Sequence, residues 1–118
     1  MTGADYEITA AVDPAVAATL RTFVRESGRR LELADSDVED LTLVTTELLA
    51  NAVDAGETTI HLQLSADADG WCLRAEGIGE LQIDPDAAVN RSDILHGVAD
   101  VDWASATLVV RPRVVVDG

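Results

Sequence analysis

The chain has 118 residues, of which 47% are hydrophobic, enough for one domain around one core. Its 22 acidic and 8 basic residues leave a net charge of −14, which argues against a nucleic-acid partner and against an anionic membrane surface, since both want clustered Lys and Arg. One cysteine, Cys72, cannot make an internal disulfide or a zinc centre alone, and no run nears the roughly 20 apolar residues of a membrane span.

With no signal-peptide pattern at the N-terminus, a soluble cytoplasmic protein is expected. The acidic excess has two readings: a solubilising surface, or a surface that docks a basic partner. Aromatic residues are only 3%, so Ala, Val and Leu must build the core.

Tyr6 to Val12 reads as a short strand. Asp13-Pro14 then opens a helix, with Asp13 as N-cap and Pro14 at the first helical position. Val16, Leu20, Phe23 and Val24 form its apolar stripe. Gly28 is the expected C-cap, and Arg25, Arg29 and Arg30 gather where the helix dipole favours positive charge. A second helix begins at Ser36 to Glu39, "SDVE", which has the form of a capping box. Its buried stripe is Leu41, Val44, Leu48 and Ala52, and Gly56 stops it. Glu47 and Asn51 lie beside that stripe, about 40° apart around the axis.

Next comes "TTIHLQL", with Ile60, Leu62 and Leu64 on one face and Thr59, His61 and Gln63 on the other. "DADG" is a turn signal. "WCLRA" alternates Trp71, Leu73 and Ala75 against Cys72 and Arg74. The two segments read as an antiparallel hairpin. "EGIGEL" is a glycine loop, Asp84-Pro85 breaks the chain, and Asp86 to Val101 is the third expected helix. "ATLVVRPRVVV" ends the chain with strand material, interrupted at Pro112, which belongs at an edge or a bend.

Three stretches carry a common signature. In "TELLANAVDAG", Glu47, Leu48, Asn51 and Ala52 have the pattern E-L-x-x-N-A on a helix that precedes a hairpin. After the hairpin, Ala75-Glu76-Gly77-Ile78-Gly79 has the glycines of D-x-G-x-G without its aspartate. Before the third expected helix, Asn90-Arg91-Ser92 stands in place of Gly-x-Gly. On these residues the chain, from about Ala11 to Val110, resembles the GHKL ATPase superfamily of gyrases and histidine kinases. It looks most like the compact bacterial anti-sigma-factor serine kinases.

The resemblance implies an α/β (α+β two-layer) sandwich: a mixed, mostly antiparallel sheet of 4–5 strands, covered on one face by three helices. Residues 1–118 would form a single GHKL ATPase-like domain lacking most of the ATP lid. It implies that Glu47 descends from a catalytic base and that Asn51 would bind the magnesium bridging the phosphates, chemistry that suits a hard cation. Gly77 and Gly79 would belong to the nucleotide-binding loop. Asn51 has a second role open to it, hydrogen-bonding the neighbouring loop.

The departures point to a degenerate site. Ala75 cannot accept a hydrogen bond from the adenine amino group, a bond worth about 1.5–3 kcal/mol, or about a tenfold to hundredfold in affinity. Glu76 starts toward the opposite face of the strand. The short Glu80 to Ser92 segment cannot close over a triphosphate. Asn90 and Ser92 would hold phosphate away from a helix N-terminus, and Asp84, Asp86 and Asp93 would repel it, with Arg91 the only cation nearby.

The expected function is therefore a regulatory protein-binding module resembling an anti-sigma factor with a degenerate ATP site. It would take no cofactor, with ATP and magnesium entering only if the site is functional. Its partner would be a sigma factor or a STAS-type anti-anti-sigma protein, and a homodimer is implied as an option. The alternative is an active ATP/Mg-dependent anti-sigma-factor serine/threonine kinase, so enzymatic activity stays open between the two. A third reading is a structural subunit that pairs with an intact homologue. His61 is expected outward on its strand, Cys72 structural, and Trp71 and Trp103 either core residues or interface anchors. His61 and His96 lie on different elements, without zinc-like spacing.

Overall fold

The computed structural model describes residues 5–68, 70–79, 99–104 and 107–112. The elements run β1 (Tyr6–Ala11), a 3-10 turn (Pro14–Val16), α1 (Ala17–Arg30), α2 (Asp35–Asp54), β2 (Thr59–Asp67), β3 (Gly70–Glu76), β4 (Ala99–Ala104) and β5 (Thr107–Pro112). The strands form one sheet in the order β1-β2-β3-β5-β4. The expected sheet was mixed, but every pairing among the described strands is antiparallel.

The predicted α+β content is present, with two described helices. Most of the expected third helix, residues 86–98, lies outside the described residues, and its last residues, Ala99 to Val101, belong to β4. The physical reason is the period. In "ADVDWA" the apolar Val101 and Trp103 alternate with Asp100 and Asp102, which is a strand pattern. β4 and β5 then pair from Ala99 with Pro112 to Ala104 with Thr107.

The helices begin and end for local reasons. The Asp13 carboxylate accepts the Ala15 N–H at 2.8 Å, with Pro14 at the first position of the 3-10 turn, so the expected cap opens that turn, while α1 itself starts at Ala17 without a side-chain cap. Gly28 does not end α1, which continues to Arg30. Gly28 is buried, and a Cβ there would come within 3.0 Å of Val38 Cγ2, so the glycine lets α1 approach the start of α2. The turn is made by Glu32, at φ 60. Leu33 N–H donates to the Gly28 carbonyl and Glu32 N–H to that of Arg29, both at 3.0 Å. Together these bonds form a Schellman motif.

The capping box is not made either. α2 starts at Asp35, and its N-cap, Ala34, makes no side-chain bond. Asp35 and Asp37 in the first turn favour the positive end of the helix dipole instead. At its other end α2 stops in the same motif as α1, with Gly56 at φ +74 and Glu57 N–H on the Ala52 carbonyl.

Both helices cover one face of the sheet. Ile60, Leu62 and Leu64 of β2 are fully buried, and register places Ala75 opposite Leu62 and Leu73 opposite Leu64. Leu20 and Val24 of α1 and Leu41, Val44 and Leu48 of α2 close over them in one cluster. Each such leucine contributes about 1.5–3 kcal/mol of burial. This alternation agrees with the sequence reading. No helix among the described residues is long and apolar enough to cross a membrane.

Candidate functional site

The site grows from the last turns of α2. Leu48 and Ala52 turn into the core, which fixes the rotation of the helix. Asn51, one position before Ala52, is thereby carried to the edge of the core and is itself fully buried. Its side-chain amide Nδ2 donates to the Ile78 carbonyl at 2.7 Å, bridging 27 positions of sequence. Glu47 lies one turn earlier and is half-buried. Asn51 thus meets the glycine loop that follows β3, and the local-bonding role open to it in the sequence is the one the geometry displays.

The loop is pressed onto two elements at once. Gly77 has φ +71, and a Cβ there would stand 1.9 Å from the Thr59 carbonyl oxygen at the start of β2. Gly79 has φ +72, and its Cβ would stand 2.4 Å from the Ala55 Cβ at the end of α2. Between them, Ile78 is 1% exposed. Both glycines are required by backbone conformation and by space. The sequence placed them in a glycine loop, which the resemblance makes nucleotide-binding. The close approach to Thr59 and Ala55 depends on tertiary contacts that no spacing announces.

Ala75 and Glu76 take opposite faces, as the strand period predicts. Ala75 is fully buried on the helix-covered face, opposite Leu62. Glu76 is exposed on the other face, opposite His61. An adenine acceptor at position 75 would therefore sit inside an apolar layer. Residues 80–98, with Asn90, Arg91, Ser92, Asp84, Asp86, Asp93 and His96, lie outside the described residues.

The chemistry on offer is limited. Among the described residues no group of three or more His, Cys, Asp or Glu is placed to hold a metal. One cavity, of about 240 Å³, is lined by Pro14, Ala17, Thr46, Leu49, Ala50, Val53 and Asp54. It shares no lining residue with the glycine loop. Cys72 is 3% exposed and stays unpaired as a thiol, in keeping with a structural role. Trp71 is fully buried.

Among the described residues, the sheet face turned away from the helices holds a polar group that sequence reading did not assemble. The Thr9 hydroxyl lies 2.6 Å from His61 Nδ1, and the Glu7 carboxylate lies 3.4 Å from His61 Nε2. All three are on outward positions of β1 and β2, so His61 faces out as expected. Period-2 alternation in both strands was the available signal, but the register that aligns Thr9 with His61 was not. Compared with known proteins, the chain matches no family model and no curated protein.

Proposed function

We propose that this chain is a regulatory protein-binding module of the GHKL type whose nucleotide site is degenerate. Its sheet would be completed on the helical face by a third helix, and its ATP lid would be largely missing. The observation that carries the reading is Ala75, fully buried opposite Leu62 where the resemblance calls for an adenine-binding carboxylate. A second support is that Asn51, Gly77 and Gly79 each have a folding role that needs no nucleotide. Glu47 is then the remnant of a base rather than a working one.

The partner is a basic protein of the sigma or STAS type, drawn to a chain of net charge −14 by complementary charge. Binding should weaken steeply between about 50 mM and 0.5 M salt. Calorimetry with millimolar Mg-ATP tests the nucleotide half: no heat is expected from the wild type. Micromolar affinity abolished by Asn51→Ala would establish the kinase reading instead. Capture of a basic partner from bacterial cytoplasm at low salt tests the other half. A complex indifferent to salt would overturn its electrostatic basis.

A further inference from the structure

We propose that the cavity beside the last turns of α2 binds a small protonated amine, an apolar body of about ten heavy atoms carrying one ammonium group. This inference is independent of the nucleotide-site reading, because the glycine loop does not line the cavity.

Thr46, Leu49, Ala50, Val53 and Asp54 recur at helical spacing on one side of α2, and Pro14 and Ala17 complete the lining. Ala17 and Ala50 are small, so about 240 Å³ stays open there. A cavity of about 150 Å³ takes benzene, so this one takes about ten heavy atoms. Val53 at the rim is 36% exposed, and among the described residues the other exposed large hydrophobic is Leu43. Leu43 lies about two turns before Ala50, on the same stripe, so the cavity opens onto apolar surface.

Charge selects the ligand. A helix C-terminus carries partial negative charge, and Lys and Arg gather there. The α1 helix obeys, with Arg29 and Arg30 in its last turn. The α2 helix does the reverse: it ends in Asp54 and has no basic residue in its last turn. Positions where a sequence breaks a local rule are commonly functional ones. A cation seated here meets the carboxylate and the dipole end together.

The rest of the lining has nothing to hold an anion. It includes no basic residue. Pro14 lacks an N–H, and the Thr46 hydroxyl donates to the Thr42 carbonyl at 2.9 Å, so it presents only lone pairs to the cavity. A quaternary ammonium wants aromatic faces, and the lining has none. An N–H donor on an apolar body remains. Thr46 and Asp54 are about 12 Å apart along the axis, so the ammonium sits by Asp54 and the body runs past Val53 and Ala50 toward Thr46.

The probe is phenethylamine, with phenethyl alcohol as its neutral analogue and phenylacetate as an anion of similar size. Titrated at neutral pH into the isotope-labelled full chain, the amine should shift amide resonances of residues 15–17 and 46–54, with a Kd of about 1 mM or tighter. The alcohol should bind about tenfold more weakly, and phenylacetate should not bind. Asp54→Asn should bring amine and alcohol to the same affinity. A merely structural Asp54 would move the melting temperature and leave that ratio intact. Ala50→Leu fills the cavity and should abolish amine binding with circular dichroism unchanged. The Asp54 arm decides the matter even where that variant fails to fold. No shift at about 10 mM amine, shifts centred elsewhere, equal binding of amine and alcohol to the wild type, or full affinity in a folded Ala50→Leu would each overturn the proposal.

Discussion

Asn51 and Ala75 both lie fully buried beside the glycine loop, and they answer the same family pattern in opposite ways. At Asn51 the pattern residue is present and its amide holds the loop through the Ile78 carbonyl. At Ala75 the pattern residue is absent and a methyl group fills an apolar layer against β2. The difference lies in what each position does for the fold. Removing the Asn51 side chain would strand a buried carbonyl, whereas an aspartate at 75 would force a carboxyl into hydrocarbon unless a ligand met it. Under the proposed function, residues with a double duty persist when the ligand is lost, and residues that served the ligand alone give way to packing.

Gly77 should show the largest effect, because it belongs wholly to the fold side of that contrast. Gly77→Ala meets the Thr59 carbonyl oxygen at 1.9 Å and keeps φ +71. Backbone, not a flexible side chain, stands in the way. Strain from left-handed φ and overpacking together predict a loss of more than about 3 kcal/mol, read from urea unfolding midpoints. A loss below about 1 kcal/mol would show that the loop relaxes freely, and the contrast with Ala75 would dissolve.

Ala75→Asp comes next, at about 2–4 kcal/mol at neutral pH. Its pH dependence carries the mechanism. Burial raises the folded-state pKa of the introduced carboxyl above its unfolded value near 3.9. Below the unfolded value both states hold the proton and the charge penalty vanishes. As pH rises, the unfolded state ionises first and the variant falls further behind wild type. Thermal melts at about pH 3.5 and pH 7 should therefore show a wider gap from wild type at pH 7. An equal gap at both would mean that the side chain reaches water, and that position 75 is not sealed.

Asn51→Ala is expected to cost about 1–3 kcal/mol, the range for leaving a buried partner unsatisfied. Hydrogen exchange should quicken around residues 77–79 before it does in β2. Asn51→Asp sharpens the point, since it keeps the size and removes the donor to Ile78. If Asn51→Asp matches wild type in stability, the clamp at Ile78 is not what retains the asparagine.

Much of this arrangement was legible in the sequence, for identifiable reasons. α2 announced itself by a long 3.6-residue period closed by Gly56, and the β2–β3 hairpin by clean alternation around a turn. These signals are local and strong. Gly28 misled because glycine serves two ends: the expected one was termination, but the actual one is room for Val38 of the next helix. Ser36 misled because a sequence with capping-box form still has to be reached by the chain, and α2 starts before it. For the site, E-L-x-x-N-A located Asn51 beside the core stripe and the strand period put Glu76 on the far face. The clamp itself needed tertiary placement. Thr59 and Ala55 are unremarkable in sequence and become decisive only when the loop lies against them.

Gly56 sets the smallest effect and calibrates the others. It shares φ with Gly77, +74 against +71, but a Cβ there meets nothing within 4 Å. Gly56→Ala therefore isolates the conformational cost, about 1–2 kcal/mol, and subtracting it from Gly77→Ala leaves the cost of proximity to Thr59. Glu32 supplies the reverse experiment. It occupies the left-handed position of the same helix-ending motif at φ 60, with a side chain that is exposed. Glu32→Gly relieves that conformation but frees the unfolded chain, and the two terms oppose. The expected net is a gain of about 0.5–1 kcal/mol, smaller than the loss at Gly56→Ala. A shift in melting temperature of matching sign in each variant checks the pair. If Gly56→Ala proved as costly as Gly77→Ala, φ alone would explain both, and crowding against β2 could no longer account for glycine in the loop.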